Sequence, residues 1–319
     1  ATFVKHKTRK DMHTILGAGG PVANALTKEL TNANQTVRLV SRKPIQTTGD
    51  NVSWQKADLL NYDEILAAAK GSTVIYLVAG LVYDKEIWKV QWPVIMQNVI
   101  NVTKATGARL IFFDNVYMYG LVNGPMTEST PYKPNSVKGQ IRAGIADMLM
   151  DEVKAGTIRA SIARAPDFYG TDSNNSFIDM MVLSNYAKKK AAQWMGDPNT
   201  KHNYIYIPDA GKAVFLLGQN PDSDNQIWHL PTAPAITGKQ FLDIAARIYE
   251  VKPKYMRLTK WMLWLFGLFN KLVMGTVEMY YQTDHDYIFD SSKFEKAFNF
   301  KPTSYEDGVK EVRRQEVGK

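Results

Sequence analysis

The 319-residue chain has no cysteine, which excludes disulfides, thiolate nucleophiles and cysteine-ligated zinc or iron–sulfur centres. Redox chemistry would need a borrowed cofactor, and a reducing cytoplasm is the expected compartment. Long apolar runs are missing too. The most apolar stretch, Trp261–Phe269 (WMLWLFGLF), is less than half of the ~20 residues a membrane span needs, so no integral membrane association is expected. Acid is short relative to base, with 31 Asp+Glu against 39 Lys+Arg and a formal charge of +8. The cations are scattered except for Lys5, Lys7, Arg9 and Lys10, which with Asp11 account for +3 of the excess. Residues 1–11 read as a basic tail outside the fold, and the scattered remainder argues against nucleic-acid binding. There is no low-complexity segment, no Pro- or Gly/Ser-rich linker and no repeat of fixed period. What remains is an ordinary globular composition, 45% hydrophobic and 22% charged, long enough for one large α/β unit or two domains.

Short β-branched apolar runs alternate with helical patterns through the first half, the signature of parallel strands joined by crossover helices. The expected strands are Met12–Leu16, Thr36–Val40, Val52–Gln55, Thr73–Val78, Arg109–Phe113 and Arg159–Ala163. Helices fall near Val22–Thr31, Tyr62–Lys70, Lys85–Thr106 and Lys138–Lys154. Beyond Tyr169 the elements shorten, with strands at Tyr204–Ile207 and Ile227–Leu230 and helices at 208 onward, 237–249, 259–273 and 304–316. The fold class is therefore α/β: a doubly wound, Rossmann-type parallel sheet with a smaller, discontinuous substrate-binding domain. The expected boundaries are 12–165 with about 200–232 for the nucleotide-binding part, and 166–199 with 233–319 for the other.

The first strand ends in TILGAGGPVANAL, which places Gly17, Gly20 and Ala23 in a G-x-x-G-x-x-A spacing between a strand and a helix. Small residues let the backbone turn tightly and approach a pyrophosphate, while the helix amino terminus offers N–H groups and a positive dipole. Gly17, Gly19, Gly20, Pro21 and Val22 are the candidates for that contact. The second strand ends in Ser41, Arg42 and Lys43, where a site for NAD would carry an acid to bind the ribose 2′-hydroxyl. A cationic fork suits a 2′-phosphate instead, so the expected cofactor is NADP(H). The competing reading leaves Arg42 and Lys43 simply facing water.

With further motifs in order, the chain resembles an extended short-chain dehydrogenase/reductase of the NAD-dependent epimerase/dehydratase family over residues 12–319. The motifs are Ala57-Asp58-Leu59, Leu77-Val78-Ala79-Gly80, Asn98, VYMYG from Val116, Thr127-Glu128, RAPDFYG from Arg164, and Tyr206-Ile207-Pro208-Asp209. The resemblance implies that Asp58 and Leu59 lie at the adenine, that Val78, Ala79 and Gly80 run along the cofactor, and that Pro166 contacts it.

Such proteins react through Tyr-x-x-x-Lys, where this chain departs. Aligning that motif with Lys138-Gly139-Gln140-Ile141-Arg142-Ala143 puts Lys138 at the tyrosine and Arg142 at the lysine; another register would put Ser136 or Val137 there. Asn115 takes the place of the Ser/Thr that orients the substrate oxygen. Val116 and Tyr117 replace the Asp-Glu pair of the sugar dehydratases, which argues against dehydration. Three assignments stay open. Lys138 could move the proton, with Arg142 holding the cofactor ribose; Tyr117 could move it; or neither does, with Lys138 and Arg142 serving only as cofactor ligands. His202 and His229 lack metal-ligand spacing, and Asp284-His285-Asp286 reads as a solvated loop, so no metal is expected.

On the substrate side, Asn174, Asn175, Arg247 and Arg257 are candidate diphosphate ligands should the substrate be a nucleotide sugar. Residues 260–275 are apolar almost all round a helix, which reads first as a buried helix. If that helix lined the cleft instead, the substrate would be an apolar small molecule. An interfacial membrane contact is the third reading. Trp88, Trp92, Ile95 and Met148 on the two long helices are expected to form a homodimer interface, unless they pack inward. The resulting expectation is an NADPH-dependent oxidoreductase or epimerase acting by hydride exchange at a carbonyl or secondary alcohol. The alternatives are a non-catalytic NADP(H) sensor and a nucleotide-sugar epimerase.

Overall fold

The computed structural model describes residues 11–170 and 176–318. Its first half alternates β1 (Met12–Leu16), α1 (Pro21–Asn32), β2 (Thr36–Ser41), β3 (Val52–Lys56), α2 (Tyr62–Ala69), β4 (Val74–Leu77), α3 (Lys85–Thr106), β5 (Arg109–Asp114), α4 (Val137–Lys154) and β6 (Ala160–Arg164). The short elements that follow are β7 (Phe168–Tyr169), α5 (Ser184–Ala187), β8 (Ala192–Met195), β9 (Lys201–His202), β10 (Ile205–Tyr206), α6 (Ile207–Gln219), β11 (Ile227–His229), β12 (Ile236–Thr237), α7 (Gly238–Ile248) and β13 (Tyr255–Leu258). The chain ends with α8 (Lys260–Gly267), α9 (Lys271–Val277), α10 (Ser292–Phe298) and α11 (Tyr305–Val317). The expected elements of the first half recur with shifts of a residue at their ends.

Seven strands form one parallel sheet in the order β11-β6-β5-β4-β1-β2-β3. Ile15 is the register point at its centre, opposite Leu39 on β2 and Tyr76 on β4. β1, β4, β5 and β6 are buried on both faces because helices cover both, as a parallel sheet requires. The chain leaves β1 in one direction and resumes at β4 in the other, so a crevice opens between their carboxyl ends. Helix α6 packs against α1, and an added Cβ on Gly211 would lie 2.4 Å from Ala25 Cβ, so only glycine permits this approach. Arg109 ties α6 to β5 by donating from Nη1 to Gly218 O at 2.6 Å and pairing with Asp224 at 2.6 Å, a cation set against a helix carboxyl end.

The second core is aromatic. Tyr169, Tyr186, Trp194, Tyr204, Phe241 and Tyr305 are buried there beneath the parallel pair β8–β13. A smaller cluster of Leu258, Leu263 and Tyr280 anchors α8 and α9.

Two expectations are corrected. Trp88, Trp92 and Ile95 face the sheet and belong to the main core, with Met148 packed against them. Trp88, Trp92 and Ile95 are buried within the chain and cannot serve as dimer contacts, with Phe112 of the adjoining β5 against Trp92, whereas Met148 is half-buried. Residues 260–275 do not form one buried helix. The helix breaks at residues 268–270, where the Asn270 side chain caps α9, and most of the outer face of α8 is exposed.

Candidate functional site

The crevice begins at the glycine turn. Gly17 has φ +87°, and an added Cβ would lie 2.4 Å from Ala79 Cα, so glycine alone lets β1 turn beside the end of β4. Gly19 also has positive φ, +98°. Gly20 differs, since a Cβ there would enter open space, directly before α1. No side chain caps α1, its first turn holds no acid, and Pro21 opens it. The N–H groups at Val22 and beyond therefore face the crevice, which fits a dinucleotide pyrophosphate. Val78, Ala79 and Gly80 follow β4 immediately, and Asn115 and Pro166 follow β5 and β6 closely, so the sheet brings these candidates to one edge.

At the end of β2, Arg42 and Lys43 are exposed. Ser41 is engaged otherwise: its Oγ donates to Lys43 O at 2.6 Å and accepts from Trp54 Nε1 at 2.9 Å, shaping the turn that presents the two cations. Beyond β3, the Asp58 N–H donates to Glu64 Oε2 at 2.7 Å, and Leu59 O accepts from Asn98 Nδ2 at 3.1 Å, which fixes that loop.

Lys138 stands in a different setting from the one the alignment suggests. Its side chain is fully buried, donating to Glu278 Oε1 at 2.7 Å and to Gly275 O at 2.9 Å, with the ammonium 4.2 Å from the Tyr83 ring centre. Burial draws its pKa below the usual lysine value, and the Glu278 carboxylate opposes that fall. Glu278 also accepts the Val137 N–H at 3.0 Å, so it fastens α9 to the start of α4. Arg142 likewise turns into the core. Its Nε lies 2.8 Å from Asp114 Oδ1, and its guanidinium lies 4.4 Å from the Trp92 ring centre. In that position it is a buried cation held by Asp114 and aromatic faces.

Tyr117 sits between these groups. Tyr83 Oη donates to Tyr117 Oη at 3.3 Å, Trp88 stacks on the Tyr117 ring, and the Tyr117 N–H is received by Asn115 Oδ1 at 3.0 Å. Burial first, and the Asp167 carboxylate second, raise the Tyr117 pKa well above that of a free phenol. The phenol thus keeps its proton at neutral pH.

Behind the site, Asp114 lies between Arg142 and Arg164. Arg164 donates to Tyr119 Oη at 2.7 Å, and Tyr119 Oη lies 2.6 Å from His229 Nε2. His229 Nδ1 is 2.9 Å from Asp290 O, so this nitrogen carries the proton and Nε2 accepts from Tyr119. Burial lowers the His229 pKa to about 3.

A family model described as the NAD dependent epimerase/dehydratase family matches residues 13–230. The chain belongs to this family. As a member of the NAD dependent epimerase/dehydratase family it is a redox or epimerase enzyme that works with a nicotinamide dinucleotide. Similar solved structures include a dTDP-glucose 4,6-dehydratase from Bacillus anthracis str. Ames in complex with NAD. It is 13% identical, with TM-score 0.78 and coverage of 97% of both chains. A UDP-glucose 4-epimerase from Thermus thermophilus in complex with NAD is 14% identical, with TM-score 0.77 and coverage of 96% of this chain and 99% of that one. A UDP-glucose 4-epimerase from Thermotoga maritima with UDP-glucose has the same identity, TM-score and coverage. At this identity the likeness is one of fold. No curated protein matches the sequence.

Of this family member's diphosphate candidates, the two described arginines are engaged within the protein. Arg247 pairs with Glu306 at 2.8 Å, and Arg257 Nε donates to Gly196 O at 2.8 Å. Asn174 and Asn175 lie outside the described residues, as do residues 1–10 of the basic tail. Sequence reasoning missed Tyr83 and Glu278. Tyr83 follows the Leu77–Gly80 motif by three residues, and Glu278 is the first acid after a long acid-free stretch; neither signal alone marks a site.

Proposed function

We propose that this enzyme is an NADP(H)-dependent reductase exchanging hydride with a carbonyl or secondary alcohol of an apolar small molecule, with Tyr117 as proton donor. The Tyr83–Tyr117 hydroxyl pair carries this reading. Tyr83 donates to Tyr117, which leaves the Tyr117 proton free to meet a substrate oxygen. A nicotinamide dinucleotide, when bound, supplies and receives the hydride. The residues of the chain do the rest. Gly17, Gly20 and the first turn of α1 receive the pyrophosphate, and Arg42 with Lys43 meets a 2′-phosphate. Asn115 Nδ2 orients the substrate oxygen while Tyr117 Oη donates to it as negative charge develops there. Tyr117 is protonated at neutral pH, the form that a proton donor to a developing alkoxide needs, and its raised pKa makes the phenol a weaker acid that gives up its proton only as charge builds on the substrate oxygen. Lys138 serves as a positioning residue, pinning α9 over Tyr83 through Glu278.

In this reading, residues 12–165 with about 200–232 bind the cofactor, and 166–199 with 233–319 close on the substrate. A homodimer would use the outward faces of α3 and α4, where Val90 and Val94 are uncovered. The nucleotide sugars named for the neighbouring structures support a second reading, nucleotide-sugar epimerisation. NADPH consumption against a panel of apolar carbonyls, run beside a panel of nucleotide sugars, separates the two. Turnover only with nucleotide sugars refutes the first.

A further inference from the structure

The α8–α9 hairpin leaves an apolar surface uncovered. Its inner side chains, Leu263, Met262, Val273 and Val277, pack against Leu258 and Tyr280. Outward stand Trp261, Trp264, Phe266, Leu268, Phe269 and Leu272, with Phe269 at the tip 90% exposed and Trp261 65% exposed. Single exposed apolar residues need no explanation, but a contiguous aromatic cluster on one hairpin marks a contact surface.

Charge and composition select the occupant. From Val251 to Val277 the sequence contains Lys252, Lys254, Arg257, Lys260 and Lys271 and not one Asp or Glu. Lys260 opens α8 and Lys271 opens α9, both exposed beside the aromatic cluster. At the other end of β13, Lys189, Lys190, Lys252 and Lys254 line one shallow depression. A second copy meeting this hairpin about a two-fold axis would set these cations against themselves. An anionic lipid surface would neutralise them, and tryptophan favours the headgroup boundary. The dimensions agree. At 1.5 Å per residue, α8 spans roughly 12 Å and α9 roughly 10 Å, too short to cross a bilayer but sufficient to reach its interface. Accordingly, no described helix is long and apolar enough to cross a membrane.

We propose that the α8–α9 hairpin is an interfacial membrane-binding element, inserting its aromatic tip into the surface of an anionic bilayer with Lys260 and Lys271 at the headgroups. The membrane contact rests on the outer face of the hairpin alone and not on the proposed reaction; the hairpin's root, Gly275 and Glu278, meets Tyr83 and Lys138.

The test is sedimentation of the full chain with phosphatidylcholine vesicles, with and without phosphatidylglycerol. Binding is expected with the mixed vesicles, weakened by salt and accompanied by a blue shift of tryptophan emission. Phe269→Asp should weaken it by roughly tenfold or more, and Lys260→Glu with Lys271→Glu should weaken it similarly. Val317→Asp, exposed on α11, should change nothing. No sedimentation with anionic vesicles overturns the proposal, as does equal binding by Phe269→Asp. A dimer that Phe269→Asp converts to monomer, without vesicle binding, would assign the surface to a second copy and overturn it as well.

Discussion

Replacing Lys138 by methionine removes a buried ammonium while keeping most of the aliphatic stem. Losing one partner of a fully buried ion pair costs about 3–5 kcal/mol. Here the Glu278 side chain is 22% exposed and keeps the Val137 N–H at 3.0 Å. The orphaned carboxylate therefore remains partly hydrated, which brings the expected loss to about 2–3 kcal/mol. Glu278→Gln keeps the shape and removes the charge. The Lys138→Met/Glu278→Gln double variant leaves no unpaired charge, so it should lose less than the sum of the singles, with a coupling of about 1–2 kcal/mol. Urea unfolding of the four proteins measures this, and steady-state assays on the same preparations measure turnover. A positioning residue predicts a rise in KM larger than the fall in kcat. Undiminished stability, additive singles and a turnover loss of ~10²–10⁴-fold would return Lys138 to the acid/base position.

Three further outcomes follow from the crevice and the core. Gly20→Ala should leave unfolding unchanged and weaken NADPH binding, because the new methyl enters the crevice. Gly17→Ala should destabilise the fold by about 1–3 kcal/mol or more, since it meets Ala79 at positive φ; equal behaviour of the two variants in calorimetry and binding would contradict the cradle. Arg42→Ala should reduce the preference for NADPH over NADH by about 1–3 kcal/mol in binding titrations, and no wild-type preference would refute the 2′-phosphate assignment. His13 and His229 are held neutral, with pKa values lowered by burial to about 4 and about 3. The unfolded chain binds their protons near pH 6.5, so stability is complete above that pH. It falls by about 1.4 kcal/mol per unit for each histidine as pH drops toward the folded values. Denaturation of His229→Gln should show a shallower slope than wild type between pH 6 and 4, and an unchanged slope would contradict the buried neutral imidazole.

The parallel sheet was legible because period, punctuation and caps agree. Helix α3 runs from an Asp84 cap to Gly107 in the left-handed conformation, and the glycine turn announces the crevice. The facing of α3 was not legible, because Trp88 and Trp92 suit an interface as well as a core. What decides it is Phe112 and Arg142 on neighbouring elements. Lys138 was located by alignment, but its partner Glu278 is 140 residues away in sequence, and such pairing leaves no local pattern. The 260–275 run misled through its hydropathy, which cannot tell a helix wrapped by protein from one whose outer face is uncovered.

If Tyr117 gives the proton that accompanies hydride at a carbonyl, its removal is felt in the chemical step itself. Single-turnover NADPH oxidation with a saturating carbonyl substrate, compared between wild type and Tyr117→Phe, tests it most directly. The variant's rate should be ~10²–10⁴-fold lower, with NADPH affinity and thermal stability close to those of wild type. A Tyr117→Phe protein that oxidises NADPH at nearly the wild-type rate would contradict this role.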